Sequence, residues 1–166
     1  LGWVGAVVSS PFGQRALPFS IFPTNPEQAP DWDNQERVNI LIMGVDRRPS
    51  EGTDAPTRTD TMMILTLDPY SKTAGILSIP RDLFVPIPVR QNLVLHERIN
   101  TANVYGKTFE YPGGGPALAK ETVQYNFGVR IHYYLMVDFE GFERLVDAVG
   151  GVDVEVERPL IDHLYP

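Results

Sequence analysis

Two aspartates stand in similar basic settings, Gly44-Val45-Asp46-Arg47-Arg48 and Arg58-Thr59-Asp60-Thr61. Two carboxylates brought to one edge of a sheet make a hard-cation site. Mg²⁺ takes one or two carboxylates and completes its shell with phosphate oxygens and water. Arginines beside such a site suit phosphate, because the guanidinium fork grips its oxygens two at a time. Asp46 and Asp60 are thus candidate metal ligands, and Arg48 and Arg58 candidate phosphate ligands. A pair of Asp–Arg salt bridges capping a loop would use the same residues, and spacing does not separate the two. A third group is Ser78-Ile79-Pro80-Arg81-Asp82, where proline ends strand pairing and throws Arg81 beyond the sheet. Asp82 either orients that guanidinium or simply pairs with it. Arg98, in Glu97-Arg98-Ile99-Asn100, is a further candidate cation, and Asn100 and Asn103 are candidates to cap and position the segment that follows.

Several other chemistries lack support. His96, His132 and His163 do not have metal-ligand spacing. There is no Gly-x-x-x-x-Gly-Lys-Ser/Thr loop and no Gly-x-Ser-x-Gly elbow. The chain contains no cysteine, so neither disulfides nor thiolate chemistry enters. Gly113–Gly115 precedes a helix, where phosphate is often cradled. No Lys or Ser/Thr follows at a useful distance, and the glycines read as a flexible lead-in.

The elements that must position these residues follow from apolar periodicity. Val38–Gly44 is a short β-branched run and reads as a buried strand ending at Asp46. Thr61–Leu67 and Lys72–Ile79 read as two further strands joined by Pro69-Tyr-Ser71 in a hairpin. Glu97–Asn100 reads as entering a short helix, Thr101–Tyr105, before Gly106. A second helix starts at Gly113-Gly-Gly-Pro116, with Ala119, Val123 and Phe127 four residues apart and Gly128 as its stop. Ile131–Val137 reads as a strand, Asp138 as the cap of a third helix, and Phe139, Phe142, Val146 and Val149 as its apolar stripe. Val152–Val156 alternates like a half-exposed strand. Strands alternating with helices give an α/β domain with a mixed β-sheet flanked by helices. Upstream, residues 1–36 read as a separate juxtamembrane or linker segment: Leu1–Phe22 is apolar and interrupted by Pro and Gly, and Pro23–Pro30 is proline-spaced and extended. The alternative for Leu1–Phe22 is a loop docked on the core. The domain begins near Arg37 and occupies residues 37–166.

The 166 residues, 43% hydrophobic and 21% charged, suit one globular domain that buries its own core. The formal net charge of −7 argues against a sequence-independent grip on nucleic acid, which needs a basic face. The charge is uneven. Asp46–Arg98 carries seven basic and seven acidic residues, whereas Ile99 onward carries five against ten. Interleaved charge in the first part suits a site that holds both a cation and an anion; a solvated surface of mixed charge has the same composition. No apolar stretch is long enough to span a bilayer.

In their order, five motifs resemble the LytR-CpsA-Psr family: Asn39–Pro49, Arg58–Met63, Leu77–Asp82, Arg98–Ala102, and Tyr133–Phe142 followed by Leu145–Asp153. The resemblance runs from Val38 to Val156. It implies an α-β-α sandwich in an enzyme anchored to the membrane by an upstream helix and working on its extracytoplasmic face. Such an enzyme transfers a glycopolymer from a polyprenyl-pyrophosphate carrier to the cell wall, usually peptidoglycan, with Mg²⁺. By motif position, Asp46 and Asp60 would bind the metal, and Arg48, Arg58 and Arg81 would hold the pyrophosphate. Asp82 would stand beside Arg81, and Arg98 would occupy a place where the family usually has lysine, which alters the contact geometry. Family members carry a later arginine-rich segment, so residues 37–166 are expected to be the N-terminal portion of the domain with its C-terminal part missing. The lipid tail would need an apolar channel, for which the helices at Ala117–Phe127 and Phe139–Val149 are candidate walls, although ordinary core explains their stripes as well. A polyprenyl-phosphate binding module without catalysis would share all these residues. A membrane-bound transcriptional attenuator has the net charge and the lack of a helix-turn-helix against it.

Overall fold

In the computed structural model, residues 36–46 and 57–158 are described. Arg48 and residues 1–35 of the upstream segment, Pro23–Pro30 among them, therefore lie outside the described residues. Strands β1 (Val38–Val45), β2 (Thr59–Asp68), β3 (Thr73–Ile79) and β6 (Tyr133–Val137) form one sheet in the order β3-β2-β1-β6. β2 runs antiparallel to both β1 and β3, and β6 runs parallel to β1, so the sheet is mixed. The β2–β3 hairpin forms as expected. Its turn is held by Asp68, whose carboxylate accepts from the backbone N–H groups of Tyr70 and Ser71 at 3.0 and 3.1 Å.

The two faces of the sheet differ. Leu41, Met43, Met62, Ile64 and Ile79 point into the core, following the two-residue alternation of strands. Over that face lie the short helix α1 (Ala102–Thr108), helix α2 (Gly114–Phe127) and a second hairpin, β4 (Phe84–Arg90) with β5 (Leu93–Arg98). Leu118, Ala119 and Val123 of α2 and Val85, Ile87 and Val89 of β4 complete the cluster. Within α2, Gly128 caps the C-terminus at φ 65°, a left-handed geometry that glycine adopts without a Cβ clash.

Three sequence expectations are corrected here. The β4–β5 hairpin had no counterpart among the sequence expectations, and it accommodates Pro86 and Pro88. In a two-stranded ribbon each strand keeps a free edge, and prolines two residues apart remove N–H groups on one edge only. Glu97 and Arg98 accordingly end a strand rather than enter a helix; a 3-10 turn, Ile99–Thr101, precedes α1, and α1 runs through Gly106. Helix α3 (Phe139–Ala148) forms, and Asp138 caps it by accepting from the Gly141 N–H at 2.9 Å. Its apolar stripe, however, is not core: no α3 residue is buried, and Phe139 and Phe142 stay about 60% exposed. Val152–Val156 is not paired as a strand, having no neighbour to complete a ladder among the described residues.

One polar clamp ties the β6 end of the sheet to β1. The Asn39 N–H donates to His132 Nδ1 at 3.0 Å, the His132 N–H donates to the Asn39 carbonyl at 2.9 Å, and Asn39 Nδ2 donates to the Arg130 carbonyl at 2.8 Å. Accepting that first bond requires His132 Nδ1 to be unprotonated. Burial, followed by the positive charge of Arg130 and more weakly that of Lys120, holds the His132 pKa below its ordinary value, while hydrogen bonding to the Asn39 backbone and nearby Glu36 oppose this.

Leu118 is fully buried, so Leu118→Ala should destabilise the protein by about 2–5 kcal/mol in urea unfolding. For His132, the unfolded chain takes up a proton near the ordinary pKa of about 6.5 that the folded chain refuses, so stability is fully present above that pH and declines as pH falls below it. Unfolding midpoints measured from about pH 7.5 to about pH 5 should drop more steeply for the wild type than for His132→Gln, which has no proton to take up. Parallel profiles would show that His132 does not contribute to the pH dependence.

Candidate functional site

Antiparallel pairing brings the end of β1 to the beginning of β2. Met43 faces Met62 and Gly44 faces Thr61, but Val45 faces Thr59, so Asp60 is the extra residue of a β-bulge. The burial pattern shows the same shift. Met62 and Thr59 both point inward although they are three positions apart, which a regular strand forbids, while Asp60 and Thr61 point out. Gly44 fits beside the bulge because it lacks a side chain; a Cβ there would lie 3.1 Å from Thr61 Cβ. Asp60 therefore lies inside β2 rather than ahead of it. Asp46 follows Val45 at the same end of the sheet, on the neighbouring strand, and is exposed.

The end of β3 contributes the partner. Pro80 ends the strand, and residues Pro80–Leu83 turn, closed by the Leu83 N–H donating to the Pro80 carbonyl at 3.1 Å. The 3-10 turn after β5 holds this turn by its backbone: Ile99 N–H donates to the Leu83 carbonyl at 2.8 Å and Asn100 N–H to the Arg81 carbonyl at 3.3 Å. Arg81 Nη1 then donates to Asp60 Oδ1 at 2.8 Å, Arg81 Nε lies 3.7 Å from Asp82 Oδ2, and Arg98 Nη1 lies 3.4 Å from Asp82 Oδ1. The result is an alternating line of charge, Asp60–Arg81–Asp82–Arg98, drawn from three strand ends. Its side chains are 40–61% exposed. Exposed ion pairs contribute only about 0–1 kcal/mol each, so the line is a poor stability device and remains open to a ligand.

Of the residues proposed from sequence, Asp60, Arg81, Asp82 and Arg98 are in contact, and Asp46 and the exposed Arg58 lie at the same strand ends. Arg48 is outside the described residues. Among the described residues, no group of three or more His, Cys, Asp or Glu converges, so no all-protein metal cage forms. Two carboxylates, one with an oxygen engaged by arginine, suit a cation that draws its remaining ligands from phosphate and water, as Mg²⁺ does. Asn100 and Asn103 do not cap α1, as no side-chain cap bond is made there.

Sequence reasoning missed the inner wall of this site. Thr59 and Asn100 are buried, and Asn103 Nδ2 donates to the Thr57 carbonyl at 2.7 Å across 46 positions. Four buried oxygens here, Thr57 Oγ1, Thr59 Oγ1, Asn100 Oδ1 and Asn103 Oδ1, have no hydrogen-bond partner among the described residues. Only the run of polar residues among apolar ones hints at this wall, and polar residues do not mark their own burial.

The profile of the LytR_cpsA_psr family matches residues 18–163. A polyisoprenyl-teichoic acid–peptidoglycan teichoic acid transferase TagU of Oceanobacillus iheyensis is 40% identical over 123 residues, which is 74% of this chain and 35% of that protein. The regulatory protein MsrR of Staphylococcus aureus is 32% identical over 129 residues, or 76% of this chain and 35% of that protein. The crystal structure of Bacillus subtilis TagV superposes with a TM-score of 0.56 at 34% identity, covering 74% of this chain and 44% of that one. The chain thus spans about a third of the length of the curated relatives it matches. A profile match over nearly the whole chain, carried on a mixed α/β sheet that superposes on a solved relative, makes this protein a member of the LytR_cpsA_psr family.

Proposed function

We propose that this chain supplies part of the site of a transferase that moves a glycopolymer from a polyprenyl-pyrophosphate carrier onto peptidoglycan. The observation that carries the proposal is the exposed line Asp60–Arg81–Asp82–Arg98 beside Asp46, in a chain 40% identical to a teichoic acid transferase. Breaking a pyrophosphate linkage loads negative charge on the leaving phosphate, and cations set in place beforehand stabilise that charge without reorganisation. Arg81 and Arg98 present guanidinium groups along this line for that purpose, and Arg58 stands just before β2 beside it. Arg48 is assigned to the same anion from its motif position. Asp46 and Asp60 would hold Mg²⁺, which when bound neutralises phosphate charge. Asp82 sits between Arg81 and Arg98, within ion-pair distance of both, and in this reading orients their guanidiniums toward the phosphate. The peptidoglycan acceptor would put the reaction on the extracytoplasmic face, with the enzyme anchored to the membrane there. Among the described residues, no helix is long and apolar enough to cross a membrane.

A regulatory reading draws on the MsrR similarity. A net charge of −7 sets it against direct contact with nucleic acid.

The test uses the full-length protein and a labelled lipid-linked saccharide. Arg81→Ala and Asp60→Ala should each lower transfer by about 100-fold or more. Their unfolding midpoints should hardly move, because an exposed ion pair contributes about 0–1 kcal/mol. Chelating divalent cations should abolish transfer, and Mg²⁺ should restore it. Wild-type rates in both variants would sink the assignment of this site.

A further inference from the structure

We propose that Asn103 is a positioning residue: it pins the backbone that carries Arg58 and Asp60, acting from α1 without touching substrate. The inference deepens the proposed transferase reading and rests on it for its catalytic consequence, although the clamp itself is a matter of geometry.

Asn103 is 7% exposed and is the second residue of α1, so its polar carboxamide is buried at the start of the helix. Its amide donates to the Thr57 carbonyl at 2.7 Å, and its Oδ1 accepts no hydrogen bond among the described residues. Thr57 lies one residue before Arg58 and two before the first residue of β2. The ladder there begins with Thr59 and at once skips Asp60, the unpaired residue of the bulge. The bulge is therefore held on one side by the Thr61–Gly44 pairing and on the other by a segment that has barely begun to pair. Asn103 supplies an anchor on that second side.

The helices are shaped to hold this side chain still. A Cβ on Gly115 would stand 2.3 Å from the Asn103 carbonyl oxygen and 2.4 Å from Asn103 Oδ1. A Cβ on Gly106 would stand 2.6 Å from both the Gly114 carbonyl oxygen and Gly115 Cα. α1 and α2 thus meet backbone to backbone, and the carboxamide is wedged against Gly115 with little rotational freedom. The orphan oxygens of Thr57, Thr59 and Asn100 on the same wall point the same way. Buried unpaired polar atoms cost stability, so this wall is not arranged for stability.

The experiment measures hydrogen exchange by mass spectrometry and transfer kinetics in the full-length protein. Asn103→Asp keeps the side chain's size and removes the donor; Asn103→Ala removes both; Gly115→Ala pushes a methyl group into the carboxamide. In each, exchange at residues 57–61 should quicken by about tenfold while β1 and β6 keep their protection. Turnover should fall by about ten- to hundredfold with KM for the lipid-linked donor altered by less than about threefold, as misplacement of a reacting group predicts. A uniform rise in exchange, or unchanged exchange at 57–61, would overturn the proposal. So would failure of all three variants to fold, because Asn103 would then be a core residue and no more. If the wild type transfers no glycopolymer, the function reading fails, while the exchange arm still judges the clamp without substrate.

Discussion

The contact between Asp60 and Arg81 joins the two halves of the site, and the local structure around it is arranged to make it possible. Asp60 faces outward because the β2 ladder skips it, and Arg81 reaches it because Pro80 ends β3 at the adjoining corner. Without the bulge, two-residue alternation would put Asp60 on the same side of the strand as Met62 and Ile64, in the core, where an unpaired carboxylate is costly. Gly44 is the counterpart on β1: a side chain there would press on Thr61 next to the bulge.

A rigid sheet with functional residues at its strand ends is a common arrangement, since the scaffold fixes Cα positions while the ends stay open to solvent. Here the fixing is done mostly by backbone. Leu83 and Arg81 carbonyls are bound by the turn at Ile99–Asn100, so the Arg81-Asp82 corner and the Arg98 corner move together. Side-chain contacts then add direction without much strength. That division explains how a line of exposed charges keeps its geometry although none of its members is buried.

The fold was legible wherever one face of an element is apolar at a fixed period. β1, β2, β3, β6 and α2 follow from runs such as Val38–Gly44 and from the spacing of Ala119 and Val123. The hairpin Phe84–Arg98 was hidden because Pro86 and Pro88 mimic a linker, and only the presence of a free strand edge makes them harmless. α3 was legible as a helix from Asp138 and its periodicity, but not in its exposure, because a sequence shows which face is apolar and not what covers it. At the site, residue types near Asp46, Asp60 and Arg81 pointed to one another, and the structure brings Asp60 to Arg81. The bulge was not legible: Thr59 is a polar residue turned inward, and hydrophobic periodicity carries no trace of a one-residue slip at a threonine. For the same reason the tie from Asn103 to Thr57, spanning 46 positions, had no local signal.

The weakness of these ion pairs bears on the chemistry proposed for them. A buried Asp–Arg pair would be held by the cost of separating two desolvated charges, several kcal/mol, and an incoming phosphate would have to overcome it. With both partners of the Asp60–Arg81 pair about half exposed, separation costs on the order of 1 kcal/mol or less, comparable to what one new charge-assisted bond to phosphate returns. Arg81 is thus kept near its place in the absence of ligand and is free to turn to an anion when one arrives. The same exchange leaves the Asp60 carboxylate without its partner, in a setting where a cation accompanying the anion is its natural replacement. Alternation along Asp60–Arg81–Asp82–Arg98 therefore lets an anion and a cation enter together with little net change in local charge, which neither a purely basic nor a purely acidic patch would permit.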